Sequence, residues 1–172
     1  MSAAAKLITQ DHLFALVDGP EFPLESANWS TGLCAQMDVG ALIYTGANKG
    51  RVTVEAAYAE IAPDIWSPNA WQDAQQWDDI AEVSVHAPHG NLEIHQLAYG
   101  PFDTPPRLPC MSADGSGTYR LRVYARGRDR HYDEIVDNTG EEYRIATWPA
   151  AAAPPLIIRS TSRCGYSMRV GG

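Results

Sequence analysis

The sequence predicts an all-β protein, an antiparallel β-sandwich of about eight strands with at most one or two short helices. Twelve prolines recur along the 172 residues and interrupt any long helical register. Several segments between these breakers alternate apolar and polar residues, which is typical of half-buried strands. Because a chain of this length forms one core, we expect a single β-sandwich domain over residues 1–172, with residues 150–172 as a C-terminal extension.

The clearest strands lie in the middle of the chain. Thr118–Arg126 places apolar or aromatic residues at odd positions and arginines at several even positions, so one face is basic. Trp77–His86 also alternates, and the apolar run Leu92–Tyr99 follows the turn-forming segment Pro88–Asn91. A turn of this composition between two strand patterns predicts a hairpin.

A second hairpin is predicted near the start of the chain. Gly40–Thr45 and Arg51–Ile61 read as strands and flank a short turn-forming segment at 46–50. The remaining predicted strands are Leu7–Thr9 or His12–Val17, Glu142–Trp148, Leu156–Arg159 and Tyr166–Val170.

One segment, Ser67–Gln76, predicts a helix. Ser67 can cap it, and Pro68 suits its first position. Three long irregular segments remain, and we expect contacts with partners there because long loops in compact domains are often functional. They are Gly19–Trp29, Pro101–Gly117 and Gly127–Gly140.

The charge is divided unevenly along the chain. Residues 1–106 carry 14 acidic and three basic residues, a formal charge of −11, whereas residues 107–172 carry seven acidic residues and ten arginines, a charge of +3; the two sum to −8. A negative net charge argues against direct binding of nucleic acid, which depends on lysine and arginine. An acidic surface instead suits a basic protein partner.

Cysteine usage and the termini indicate the compartment. Cys34, Cys110 and Cys164 lie far apart with no Cys-x-x-Cys spacing, so we expect reduced thiols. The first residues lack the apolar run of a signal peptide, and no stretch approaches the roughly 20 apolar residues of a membrane span. We therefore expect a cytoplasmic protein that does not contact a membrane.

No pattern in the sequence indicates catalysis. There is no Gly-x-Ser-x-Gly or Ser-x-x-Lys motif and no glycine-rich phosphate loop before a helix. His86, His89 and His95 are close in sequence, but a strand end, a turn and a return strand would not bring them to one point. We predict no enzyme activity, no metal and no cofactor.

The segment from Asp64 to Asp79 is the best candidate for a partner-binding surface. It places tryptophans among carboxylates, and tryptophan is enriched in binding hot spots while carboxylates attract a cationic partner. Trp71 and Trp77 also suit the core. The mixed-charge segment Arg126–Glu142 is the second candidate, with a solvated loop as its alternative. The predicted partner-binding residues are Asp64, Trp66, Trp71, Asp73, Asp78, Asp79, Arg128 and Arg130.

Several short patterns occur together along residues 10–148. They are His12-x-Phe14, Asp18, Trp29, Asp38 before Gly40-Ala41-Leu42-Ile43, Gly117-Thr118-Tyr119-Arg120-Leu121 and Glu142-Tyr143-Arg144-Ile145. In these the chain resembles the competence protein J family, inhibitors of a bacterial DNA-entry nuclease. The resemblance implies a shared fold, because most of these are core and turn positions. Pro63–Trp77 and Arg128–Gly140 look like insertions relative to that family, and residues 150–172 have no counterpart in it.

These observations lead to two hypotheses from different classes. The first is a cytoplasmic protein-binding module that acts as an inhibitor or immunity-type protein on a basic partner such as a nuclease or toxin. Its carboxylates would mimic phosphates, and its exposed aromatic residues would form the dry centre of the interface. The alternative is a β-sandwich that binds a small ligand or carbohydrate without catalysis, using tryptophan and tyrosine faces for stacking.

Overall fold

Among the residues that the structure describes, ten strands form one mixed sheet. The computed structural model describes residues 2–97 and 108–171. The strands are β1 (Ser2–Gln10), β2 (Leu13–Asp18), β3 (Cys34–Gln36), β4 (Ala41–Tyr44), β5 (Lys49–Tyr58), β6 (Asp79–Ala87), β7 (Leu92–Gln96), β8 (Gly117–Arg126), β9 (Ile135–Pro149) and β10 (Leu156–Ser160). The helices are α1 (Pro68–Ala74) and α2 (Arg163–Val170), with a 3-10 turn at Leu24–Ser26.

The prediction of a mostly β protein is confirmed. The sheet is mixed and curled into a half-barrel, which does not clearly match the predicted antiparallel sandwich. The strand order is β10-β6-β8-β9-β5-β1-β2-β4-β3, and β7 also pairs with β2. Of the strand pairs described, β5–β9 is parallel and the others are antiparallel. Parallel neighbours need a long crossover connection, which α1, β6 and β8 provide here.

One large apolar cluster fills the concave side of the sheet. It joins Phe14 and Ile43 from one end of the strand order with Val83 and Leu121 from the other end. Because the two ends of one curled sheet share this core, no second sheet is needed to cover it.

Both predicted hairpins are wrong in their pairing. β7 follows β6 through the predicted turn but pairs with β2, while β6 lies between β8 and β10. β4 pairs with β2 and β3, and β5 pairs with β1 and β9. A tight hairpin connects β1 and β2 instead, where Asp11 and His12 have φ of 52° and 66°. Two left-handed central residues are typical of the turn that matches strand twist.

The helix predicted at Ser67–Gln76 is confirmed as α1. Ser67 accepts a hydrogen bond from Ala70 N–H, and Pro68 occupies the first turn. α1 and the loop before it cover the convex side of the sheet with a second apolar cluster that includes Ile65, Trp77 and Tyr124. This packing holds the predicted tryptophan segment against β8 and β9.

The chain beyond β9 packs on the sheet. β10 pairs with β6 as predicted for Leu156–Arg159, but the strand predicted at Tyr166–Val170 is wrong, because these residues lie in α2. Ser162 caps α2, because its hydroxyl oxygen accepts a hydrogen bond from Gly165 N–H. The apolar pattern of so short a segment suits both a strand and a helix, and the cap favours the helix.

The long loops differ from the prediction. β9 begins at Ile135, inside the predicted loop Gly127–Gly140. Residues 98–107, which include the first half of the predicted loop Pro101–Gly117, lie outside the described residues. In the described chain, neither helix has the length and apolar character needed to cross a bilayer.

Candidate functional site

The loop after β5 and helix α1 together form an exposed surface, which we call the tryptophan face: Ile61, Asp64, Trp66, Trp71 and Asp73. Ile65 is buried and anchors the loop, so its neighbour Trp66 points outward with 67% of its surface exposed. The Trp66 and Trp71 rings stack with centroids 5.7 Å apart and planes 14° apart. Ile61 is 79% exposed. Two large apolar side chains thus project from one short, well-anchored loop.

Carboxylates surround these apolar side chains. Asp64 accepts hydrogen bonds from the backbone N–H groups of Trp66 and Ser67 at 3.0 and 3.2 Å. Hydrogen bonds from Ser67 are the main cause of a lowered Asp64 pKa, so this carboxylate stays ionised at neutral pH. Asp73 accepts from Arg144 Nη1 at 2.7 Å. Asp64 therefore contributes a net negative charge, whereas the charge of Asp73 is largely balanced.

The tryptophan face rests on a layer of arginine and aromatic side chains. Trp77 is 5% exposed, which confirms the core alternative for this residue. The guanidinium carbons of Arg126 and Arg144 lie 4.6 and 5.0 Å from its ring centroid, within cation–π range. A cavity of about 220 Å³ next to Arg144 is lined by Glu55, Asp73 and other residues. This layer fixes α1 and so fixes the orientation of Trp71.

The other predicted site residues lie elsewhere. Asp78 is half-buried and accepts from Gly127 N–H at 2.9 Å. Asp79 and Arg128 are buried and form an ion pair at 2.7 Å. Arg130 is exposed in the β8–β9 loop. The structure thus brings four of the eight predicted residues together on the tryptophan face, and it places Asp79 and Arg128 in the interior, where they present no surface to a partner.

Arginines of β8 face acidic residues of the first half of the chain. Arg120 and Arg122 contact Glu82 at 3.2 and 2.8 Å. Arg126 is the residue that pairs with Glu142. The reason is strand order, since β6 lies directly beside β8 and places Glu82 opposite Arg122. Strand pairing therefore balances Glu82 of the acidic half with two arginines of the basic half.

The histidines and cysteines are dispersed. His86 lies near Thr118, His89 near Glu21 and His95 near Glu93. Among residues 2–97 and 108–171, no three His, Cys, Asp or Glu side chains are grouped as metal ligands would be. The three cysteines are free thiols, and Cys34 and Cys164 are buried.

Sequence reasoning missed Ile61 and Glu60 as members of this exposed loop. The sequence placed both residues in the predicted strand Arg51–Ile61, whereas the observed strand β5 ends at Tyr58 and leaves Ile61 exposed. It also missed the residues around His12 and Tyr132, which distant loops bring together.

Comparison with known proteins identifies the fold. No family model matches the chain, and no curated protein sequence matches it. ComJ from Bacillus subtilis, an inhibitor of the DNA-degrading activity of NucA, has a similar structure, with a TM-score of 0.52 and 13% identity over 87% of this chain and 98% of ComJ. The protein of crocagin biosynthetic gene J is also similar, with a TM-score of 0.51 and 16% identity over 88% of this chain and 99% of that chain. The predicted resemblance to competence protein J is thus confirmed in structure, and at these identities it concerns the fold alone.

Proposed function

We propose that this protein is an inhibitor that binds a basic protein, such as a nuclease or toxin, through the tryptophan face. Support comes from the ComJ-like fold and from one observation of the site, the exposed Trp66 stacked on Trp71 beside an ionised Asp64. The action proposed is binding and blocking in the cytoplasm, without catalysis.

The energetics of the tryptophan face suit a binding hot spot. Covering the exposed part of Trp66 removes on the order of 150 Å² from water, which is about 4 kcal/mol at roughly 25 cal/mol per Å². Trp66 is already held against Trp71, so little side-chain entropy is lost on docking. Asp64 and the exposed Glu60 attract a basic cleft of the kind that binds phosphates.

Affinity capture followed by a nuclease assay tests this proposal. The immobilised protein is expected to retain a basic protein from a host lysate at low salt and to release it at high salt, because exposed charge pairs are screened over about 8–10 Å at 0.10–0.15 M salt. If the retained protein degrades DNA, added free inhibitor is expected to suppress that activity.

Matched variants locate the surface. Trp66→Ala is expected to weaken binding at least thirtyfold, equivalent to about 2 kcal/mol, which is typical of a hot spot. Tyr166→Ala is the control, since Tyr166 is a comparably exposed aromatic residue on α2, 61% accessible. Equal losses for both variants, or recovery of no basic protein at either salt concentration, would contradict the proposal.

A further inference from the structure

Three loops meet at one end of the half-barrel, which we call the loop end: the β1–β2 turn, the β4–β5 loop and the β8–β9 loop. Backbone hydrogen bonds link them. Thr45 N–H donates to His12 C=O at 2.8 Å, and Asp133 N–H donates to Gly46 C=O at 2.9 Å. Loops joined in this way form a fixed platform, and ligand sites are common at the mouths of barrel-like folds.

Backbone strain is concentrated at the loop end. In the described chain, Asp11, His12 and Asp133 are the non-glycine residues with positive φ, at 52°, 66° and 60°. Asp11 and His12 form the β1–β2 turn, which requires this conformation, and Asp133 adopts it in the β8–β9 loop. His12 and Asp133 are bonded to each other, with His12 Nε2 at 2.9 Å from Asp133 Oδ1 and His12 Nδ1 at 3.0 Å from Thr45 C=O. Both ring nitrogens of His12 thus lie within hydrogen-bond distance of an oxygen atom.

An aromatic group surrounds this pair. The Tyr44 ring stacks on His12 with centroids 4.9 Å apart and planes 2° apart, and Trp29 meets Tyr44 edge-on at 5.9 Å. Tyr132 lies 6.1 Å from His12 and is 48% exposed. The Tyr132 ring is therefore partly exposed to solvent, and the stacked rings of His12 and Tyr44 lie next to it.

Buried groups with shifted pKa values lie beneath the loop end. Burial raises the pKa of Glu141, which accepts the backbone N–H groups of Gly46 and Ala47 at 2.9 and 2.8 Å. Burial also raises the pKa of Cys164 to about 11, so its thiol stays neutral. Such groups gather at functional sites more often than elsewhere.

A cleft opens between this loop end and helix α2. Its volume of about 550 Å³ falls within the roughly 300–1,000 Å³ of small-molecule sites. It is lined by Asp129, Tyr132, Arg163, Cys164 and Ser167.

Among the residues that line the cleft, the exposed Arg163 supplies the positive charge. Within the described part of the chain, no carboxylate lies within 4.0 Å of the Arg163 guanidinium. The Asp129 carboxylate accepts the backbone N–H groups of Arg163 and Cys164, each at 2.9 Å, at the start of α2, where the helix dipole offsets its charge. Ser167 and Tyr132 add hydroxyl groups. A ligand with anionic acceptor oxygens complements this lining.

We propose that the cleft binds a small molecule that carries a carboxylate or phosphate group and a planar ring. Arg163 pairs with the anionic group, since guanidinium matches the geometry of both carboxylate and phosphate. The exposed Tyr132 ring stacks on the planar part. This site is separate from the tryptophan face, and the inference rests on no step of the function proposed above.

Binding titrations of the full chain, followed by calorimetry and amide NMR shifts, test the inference. The anionic probes are benzoate and adenosine 5′-monophosphate, and benzamide and adenosine are their neutral counterparts. At least one of the two anions is expected to bind saturably and at least tenfold more tightly than its neutral counterpart. Tighter binding of benzoate would indicate a carboxylate ligand, and tighter binding of adenosine 5′-monophosphate would indicate a phosphate ligand. Arg163→Gln is expected to weaken that binding at least tenfold. Arg130→Gln, at an exposed arginine outside the lining, is expected to change it less than twofold.

Three outcomes overturn the inference. They are the absence of saturable binding at millimolar probe, equal binding of the anionic and neutral probes, and equal losses in the two arginine variants. Circular dichroism checks that both variants fold. Capture of the protein partner by Arg163→Gln at wild-type level would show that the cleft and the tryptophan face act independently.

Discussion

Replacing Asp79 by alanine would leave the Arg128 guanidinium charged and unpaired in the interior of the protein. Arg128 is fully buried, and its Nη2 donates to Asp79 Oδ2 at 2.7 Å. Asp79 Oδ1 also accepts the backbone N–H groups of Thr161 and Ser162 at 3.1 and 3.2 Å, which ties the start of α2 to β6. Removing one partner of a buried ion pair costs about 3–5 kcal/mol, and a typical domain has only about 5–15 kcal/mol of stability. We expect Asp79→Ala to lower the free energy of unfolding by about 4 kcal/mol.

Equilibrium unfolding in urea, followed by tryptophan fluorescence, measures this loss. Asp137→Ala is the control, because Asp137 meets Arg51 at 3.7 Å with both side chains exposed, and such pairs contribute about 0–1 kcal/mol. The double variant Asp79→Ala/Arg128→Met is expected to recover part of the loss, since it removes the unpaired charge. A loss below about 1 kcal/mol in Asp79→Ala would refute this account of the buried pair.

Three further outcomes are expected. Asp18→Ala is expected to destabilise the protein by about 2–3 kcal/mol in the same urea assay, because buried Asp18 accepts two backbone N–H groups of the β6–β7 turn, each at 2.7 Å. The hydrogen bond from His12 lowers the pKa of Asp133 below its ordinary 3.8. The unfolded chain therefore binds more protons at Asp133 than the folded chain does, so stability falls as the pH drops through this range. Melting temperatures measured at pH 3–5 are expected to fall less steeply for Asp133→Asn than for the wild type. Iodoacetamide at neutral pH is expected to modify Cys110 before Cys164, whose pKa of about 11 and burial protect it, as peptide mass spectrometry would show.

The acidic and basic halves of the sequence do not form two separate charged regions in the folded protein. Acids of the first half pair with arginines of the second half, as Glu82 does with Arg122 and Asp73 does with Arg144. The halves are therefore interleaved in the sheet, and the buried acids Asp79 and Glu82 of the first half are balanced by arginines of the second half inside the fold. At the tryptophan face, Asp64 and the exposed Glu60 lie outside these ion pairs and are available to a partner.

Part of the candidate site could be predicted because its signals are local. The cap at Ser67, the proline after it and the tryptophans among aspartates are all within about ten residues, so α1 and the exposed Trp66 follow from short-range rules. The burial of Asp79 and Arg128 could not be predicted, because alternation along a strand shows its two faces but not what covers each of them.

The strand-rich class, the position of α1 and the resemblance to competence protein J could be predicted from the sequence, since they depend on periodicity, caps and short patterns. The parallel pairing of β5 with β9, the curl of the sheet and the pairing of β7 with β2 became visible in the three-dimensional structure. Strand pairing depends on which apolar faces share a core, and residues far apart in the chain supply those faces. The cleft at Arg163 could not be predicted from the sequence for the same reason, because strand pairing brings His12, Tyr132 and α2 together from distant parts of the chain.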